Sequence, residues 1–126
     1  LDEAQKLRKE CLPEDHFIHA FTHTDLAHYY YNKNEVREAL RHHLEALRIR
    51  QQSLPQDHVN TAFSLYYVGL MHDVNGEPRQ ALPFYQQSVT MYKKCLPLSQ
   101  CRQLPIILLK MAKIHCTMTD NETVST

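Results

Sequence analysis

The sequence predicts an all-α fold built from a repeated unit, and three observations carry that prediction. Glycine is nearly absent, with only Gly69 and Gly76 in 126 residues. A β-rich chain needs many tight turns with positive φ, which two glycines cannot supply. Apolar residues recur at steps of three and four rather than in strict alternation, the spacing of a helix that buries one face. Finally, Leu-Pro stands at Leu12-Pro13, Leu54-Pro55 and Leu96-Pro97, each pair 42 residues after the last. A fixed period of that size marks a repeat array.

Composition narrows the function classes. Lys+Arg 14 balance Asp+Glu 14, so neither a nucleic-acid footprint nor a polybasic membrane patch is expected. Hydrophobic residues make up 43% and charged residues 22%, enough for an ordinary soluble domain with one core. The apolar run Ile106 to Leu109 is far too short to span a bilayer. Leu1-Asp2-Glu3 is no signal peptide, and a chain opening on leucine reads as a domain cut from something longer.

Overlaid on itself at 42 residues, the chain matches in register. Leu12-Pro13-Glu14-Asp15-His16 falls on Leu54-Pro55-Gln56-Asp57-His58, Ala20 on Ala62, Leu26-Ala27 on Val68-Gly69, and Arg37, Ala39 and Leu40 on Arg79, Ala81 and Leu82. Glu3, Ala4 and Leu7-Arg8 match Glu45, Ala46 and Ile49-Arg50. The phase divides the chain into 1–12, the end of a preceding repeat; 13–54 and 55–96, complete repeats; 97–117, a terminal or capping helix; and 118–126, a polar tail expected to close the chain. Helices are predicted over roughly 1–11, 15–32, 35–53, 57–74, 77–95 and 100–117.

Local chemistry places the boundaries. Asp15 and Asp57 follow the Leu-Pro pair, where a short carboxylate can cap free amide hydrogens. His16 and His58 recur at the same junction and suggest a structural hydrogen bond. Asn32-Lys33-Asn34 and Asn75-Gly76 form the opposite turns, since Asn and Gly tolerate left-handed backbone. Pro78 suits a first helical turn. Pro83 lies deeper, where proline costs about 3 kcal/mol, and implies a late start or a kink. In the third unit a shift of 42 puts Lys110 on the buried face; a shift of 43 puts Met111-Ala112 there and locates one extra residue within 97–105.

The pattern Leu65, Val68-Gly69, Gly76, Ala81, Tyr85 and Ser88 resembles the tetratricopeptide repeat, with Leu26, Ala27, Ala39 and Ala46 carrying it in the other unit. Small side chains are needed where antiparallel helices approach closely. The usual unit is about 34 residues. The longer period and the Leu54-Pro55-Gln56-Asp57-His58 junction are similar to the kinesin-light-chain type. The resemblance spans 1–117. It implies a right-handed superhelix of about six helices whose first helices line a concave groove for an extended peptide or partner helix. It assigns Phe21, Thr24, His28, Tyr31 and Asn32 to that groove, then Phe63, Tyr66, Leu70, Asp73 and Val74, then Ile106, Leu109, Lys113 and Cys116. Kinesin light chains often show an Asn-Asn pair where Thr24-Asp25 and Tyr66-Tyr67 stand here, a departure that counts against that family's grip on a peptide backbone.

Among Tyr29-Tyr30-Tyr31 and Tyr66-Tyr67, the helical turn lets one tyrosine of each run face the groove while another packs inside. Tyr31 and Tyr66 are the candidates, tyrosine being a good anchor with few rotamers and one polar tip. His19 and His23, four apart, could begin a zinc site completed by Glu14, Asp15 or His16, but no HExxH or Cys-His motif accompanies them, and no metal or cofactor is expected. His42 and His43 point to different faces. Cys11, Cys95, Cys101 and Cys116 fit no CxxC pattern and read as reduced thiols of a cytoplasmic protein. No phosphate loop, G-x-S-x-G turn or paired nucleophile and base occurs, and Glu35, Glu38 and Glu45 read as solvated helix faces. Arg102, Lys110 and Lys113 are expected to solvate the outer side of the last helix as a polar cap. The function expected is a noncatalytic interaction scaffold. An accessory domain of a larger enzyme and an architectural spacer are the alternatives.

Overall fold

The computed structural model describes residues 18–125. Five α-helices lie among these residues: α1 (Ile18–Asn32), α2 (Val36–Ser53), α3 (Val59–Val74), α4 (Pro78–Cys95) and α5 (Gln103–Ser125), with a 3-10 turn (Leu98–Gln100) before the last. No strand occurs among them. The helix expected over 1–11 lies outside the described residues, as do Cys11, Asp15 and His16. Each helix packs mainly on its neighbours in sequence, as in a stacked solenoid.

The two complete repeats share their turns at the 42-residue period. Asn34 takes φ 65° and Gly76 φ 80°. Around them Glu35 N donates to Tyr30 O (2.9 Å) and Asn34 N to Tyr31 O (3.0 Å), while Glu77 N donates to His72 O (2.8 Å) and Gly76 N to Asp73 O (3.1 Å). These paired bonds satisfy the last carbonyls of α1 and α3 through a left-handed residue. A side chain at Gly76 would meet nothing within 4 Å, so glycine serves there for its backbone angle. At the other end of each unit, Leu54 N and Leu96 N bond back to Arg50 O and Tyr92 O, both at 2.9 Å. The prolines that follow hold both leucines extended.

Small residues set the distance between paired helices. Ala20 packs with Ala46, and Ala27 with Ala39. In the second unit Ser88 Oγ donates to Ala62 O (2.7 Å), and a Cβ on Gly69 would stand 3.2 Å from Ala81 O. The four pairs occupy equivalent positions. Between units, Leu47 of α2 packs on Leu65 and Val68 of α3.

Several boundary expectations change. The cap of α3 is His58, whose Nδ1 accepts from Asn60 N (3.0 Å), as the recurring junction histidine suggested. Asp57 instead lies 4.0 Å from Lys94 Nζ. Helix α4 begins at Pro78 and continues through Pro83, which excludes a late start; Pro83 is exposed. Glu38 and Glu45, read as solvated, pair with Arg41 and Arg48 one turn ahead, at 2.9 and 2.5 Å.

Burial in α5 follows the 43-residue shift only in part, since Met111 is half-buried but Ala112, expected beside it on the buried face, is exposed. Leu104, Ile107 and Ile114 are buried, matching Thr61, Ser64 and Met71 of α3. Met111 and Met118 pack beside them against the Tyr66–Tyr85 core. Met118 extends this three-and-four stripe past residue 117, so the stretch read as a polar tail is helical to Ser125. The opposite side is less polar than a cap requires. Leu108 and Leu109 are 44% and 57% exposed, and Pro105, Ala112 and His115 are exposed with them, beside Arg102 and Lys113.

Candidate functional site

The first helices α1, α3 and α5 carry the residues expected to line a groove, and the structure divides them by accessibility. Tyr31 is 40% exposed; Asn32 and Lys113 are also open to solvent. His28, Leu70 and Asp73 are half-buried. His28 meets Tyr67 and His43 edge-on, at 5.1 and 5.5 Å between ring centroids. Leu70 packs against both the Ala27–Ala39–Met71 cluster and the Tyr66–Tyr85 core. Asp73 accepts from Tyr85 Oη at 3.3 Å.

Thr24 and Tyr66 differ from expectation. Both are 8% exposed. Thr24 Oγ1 donates to Ala20 O within its own helix (2.9 Å). Tyr66 shares a core cluster with Tyr85 and with Leu104 and Ile107 of α5, because α5 closes over the place a terminal repeat would leave open. Burial pushes its hydroxyl pKa up. Of the two candidate anchors, Tyr31 alone presents its ring to solvent.

Apolar exposure recurs at one level of successive first helices. Phe21 is 41% and Ile106 48% exposed, with half-buried Phe63 between them in sequence; these three positions are equivalent under shifts of 42 and 43. Val74 and Leu109 add further exposed apolar area on α3 and α5. Between Phe21 and Phe63 lies a charged residue from the last turn of α2. Arg50 is 3% exposed, its guanidinium 5.1 Å from the Phe21 ring and 6.0 Å from the Phe63 ring. Its Nη1 donates to Ser64 Oγ at 2.5 Å, and burial alone pulls its pKa down, with no carboxylate opposing among the described residues. Two aromatic faces and the end of α2 supply its favourable field. The available signal was its period mate Tyr92, a residue type at home in a core.

The helix pair α1–α2 also gathers histidines. His23 Nδ1 lies 3.0 Å from His42 Nδ1, and Tyr30 stacks on His42 with 3° between planes. His43 stacks on Tyr67 of α3 at 5.0 Å and is 1% exposed. Desolvation, then His28, Arg50 and His42, push its pKa down to about 3. His42 and His43 do point in different directions, yet both are buried, toward α1 and toward α3. His19, weighed with His23 as the start of a zinc site and set aside, is buried, and its Nε2 has no partner among the described residues. No group of three or more His, Cys, Asp or Glu side chains is gathered to hold a metal among the described residues. Cys95, Cys101 and Cys116 are free thiols, and no described helix is long and apolar enough to cross a membrane.

The family model for the tetratricopeptide repeat matches residues 18–94, a span that runs from the start of α1 to the last turn of α4. No curated protein matches the chain. The close approaches at Ala27–Ala39 and Gly69–Ala81, the paired left-handed turns and the matched family model agree: this chain belongs to the tetratricopeptide repeat family.

Proposed function

We propose that the protein is a noncatalytic interaction scaffold that binds an extended peptide or partner helix along the face formed by α1, α3 and α5. Tetratricopeptide repeats generally mediate protein–protein interaction, and their helix pairs give a rigid frame on which side chains recur at fixed spacing. The observation that carries the reading is the recurrence of exposed apolar residues at one level of this face, Phe21 on α1 and Ile106 on α5. Tyr31, Asn32 and Lys113 supply polar contacts around them, with His28, Leu70 and Asp73 in part. The 42-residue period supports grouping the unit with the longer, kinesin-light-chain-like kind, as an adaptor working in the cytoplasm.

The test is peptide binding by fluorescence anisotropy, using sequences selected from a displayed library against the 126-residue chain. Tyr31→Ala and Lys113→Ala remove exposed side chains, so the fold should survive them. Each is expected to weaken binding, Tyr31→Ala by on the order of tenfold or more. Unchanged affinity in both variants would move the site off this face.

A further inference from the structure

The α1–α2 seam holds a hydrogen-bond chain whose direction is fixed by its first member. Arg41 Nη2 lies 3.4 Å from His42 Nε2. A guanidinium can only donate, so His42 Nε2 is the acceptor and the neutral ring carries its hydrogen on Nδ1. That Nδ1–H points at His23 Nδ1, 3.0 Å away, which must therefore present its lone pair. The order runs Arg41 to His42 to His23, from α2 into α1. A proton added to His42 enters at Nε2 and sets an N–H against the arginine. A proton added to His23 enters at Nδ1 and sets two N–H groups against each other. Either event breaks a bond in the chain, and both together place two cations within contact.

We propose that this histidine chain is an acid-sensitive clasp, which holds α1 on α2 at neutral pH and releases α1 on mild acidification while α3 and α4 stay paired. The groups around it favour release. On α2, Arg41 repels a charged His42. Glu38 and Glu45 attract it, and Glu45 attracts a charged His23 as well, but each carboxylate is already held by its own arginine, Arg41 and Arg48. From α1, Tyr30 covers the His42 ring. Next to His42 in the sequence and turned toward α3, His43 meets His28 of α1, Arg50 of α2 and Tyr67 of α3, none of them negatively charged. Desolvation and Arg41 lower the His42 pKa, and His43 is lowered further; both rings gain a proton more readily once exposed, so acid favours the separated helices. The second repeat holds no such chain. Its one seam histidine, His72, stacks on Phe84 and has Glu77 3.7 Å away.

Release of α1 would withdraw Phe21, His28, Tyr31 and Asn32 from the binding face; this consequence rests on the function proposed above, whereas the clasp itself does not. Native-state amide exchange on the 126-residue chain tests the clasp without any ligand. Exchange rates at pH 7.5 and 5.5 are each divided by the intrinsic rate at that pH. Protection in α1 is expected to fall at least tenfold at the lower pH, with α3 and α4 changed less than twofold. His42→Gln should flatten the α1 response, and His43→Phe, which keeps an aromatic ring against Tyr67, should reduce it if the first variant does not fold. Equal α1 protection at both pH values, an equal fall in all helices, or a full response in the folded variants would overturn the proposal.

Discussion

The two complete repeats have one backbone plan and opposite interiors. In α3–α4 the seam is aromatic and close. Tyr85 and Tyr92 are 0% and 2% exposed, Gly69 lets the Tyr85 ring lie against α3, and Tyr66 and α5 close the other side. In α1–α2 the equivalent places hold Ala27, Thr24 and Arg50, and the seam is filled by His23, His28, His42 and His43. The small residues are common to both, so helix spacing does not depend on what fills the remaining volume. What changes is the response to environment. An apolar interior contributes stability at every pH, whereas a histidine interior does so only while its rings stay neutral.

Position 66 and its period mate 24 give the largest expected contrast. Tyr66→Ala removes a core aromatic and should cost about 3–5 kcal/mol, while Thr24→Ala loses one bond within a helix and should cost about 1 kcal/mol or less. Urea denaturation of both variants checks this, and equal losses would erase the distinction between the interiors. At the close approach, Gly69→Ala forces a Cβ to within 2.8 Å of the Tyr85 ring and should destabilise by about 1–3 kcal/mol. The reverse change in the first repeat, Ala27→Gly, should cost about 1 kcal/mol through helix propensity alone.

Acid should act on the first repeat. The His43 pKa is about 3 in the folded protein and about 6.5 in the unfolded chain. Above the higher value the ring is neutral in both states and stability is level. Below it the unfolded chain binds the proton first, so stability falls with pH by up to about 1.4 kcal/mol per unit until the folded value is reached. His42 shifts in the same direction. Urea midpoints measured from pH 7.5 to 5 should decline for wild type and decline less for His43→Phe. The smallest effect expected is at Glu38→Gln, which breaks the exposed pair with Arg41 and should change stability by about 0.5 kcal/mol or less.

The period made much of this fold legible. A spacing of 42 residues located both left-handed turns, all four small-residue pairs and the insertion ahead of α5, because each is a local requirement repeated in register. What it could not show was set by elements arriving from elsewhere in the chain. Tyr66 reads as a groove tyrosine until Leu104 and Ile107 of α5 are laid over it. Arg50 reads as a solvated charge until Phe21 and Phe63 stand on either side. His23 and His42 lie 19 residues apart, and no spacing within one helix connects them. At the candidate site the sequence named the helices of the proposed face, while the exposure of each side chain depended on its neighbours in the next unit.

The central claim, a binding face on the first helices, is tested most directly by amide shift mapping of a library-selected peptide on the isotope-labelled chain. The account predicts saturable shifts centred on Phe21, Tyr31, Asn32, Phe63 and Lys113, with the outward residues Leu44 of α2 and Gln86 of α4 unmoved. Shifts centred on the α2 and α4 surfaces, or none that saturate, would contradict it.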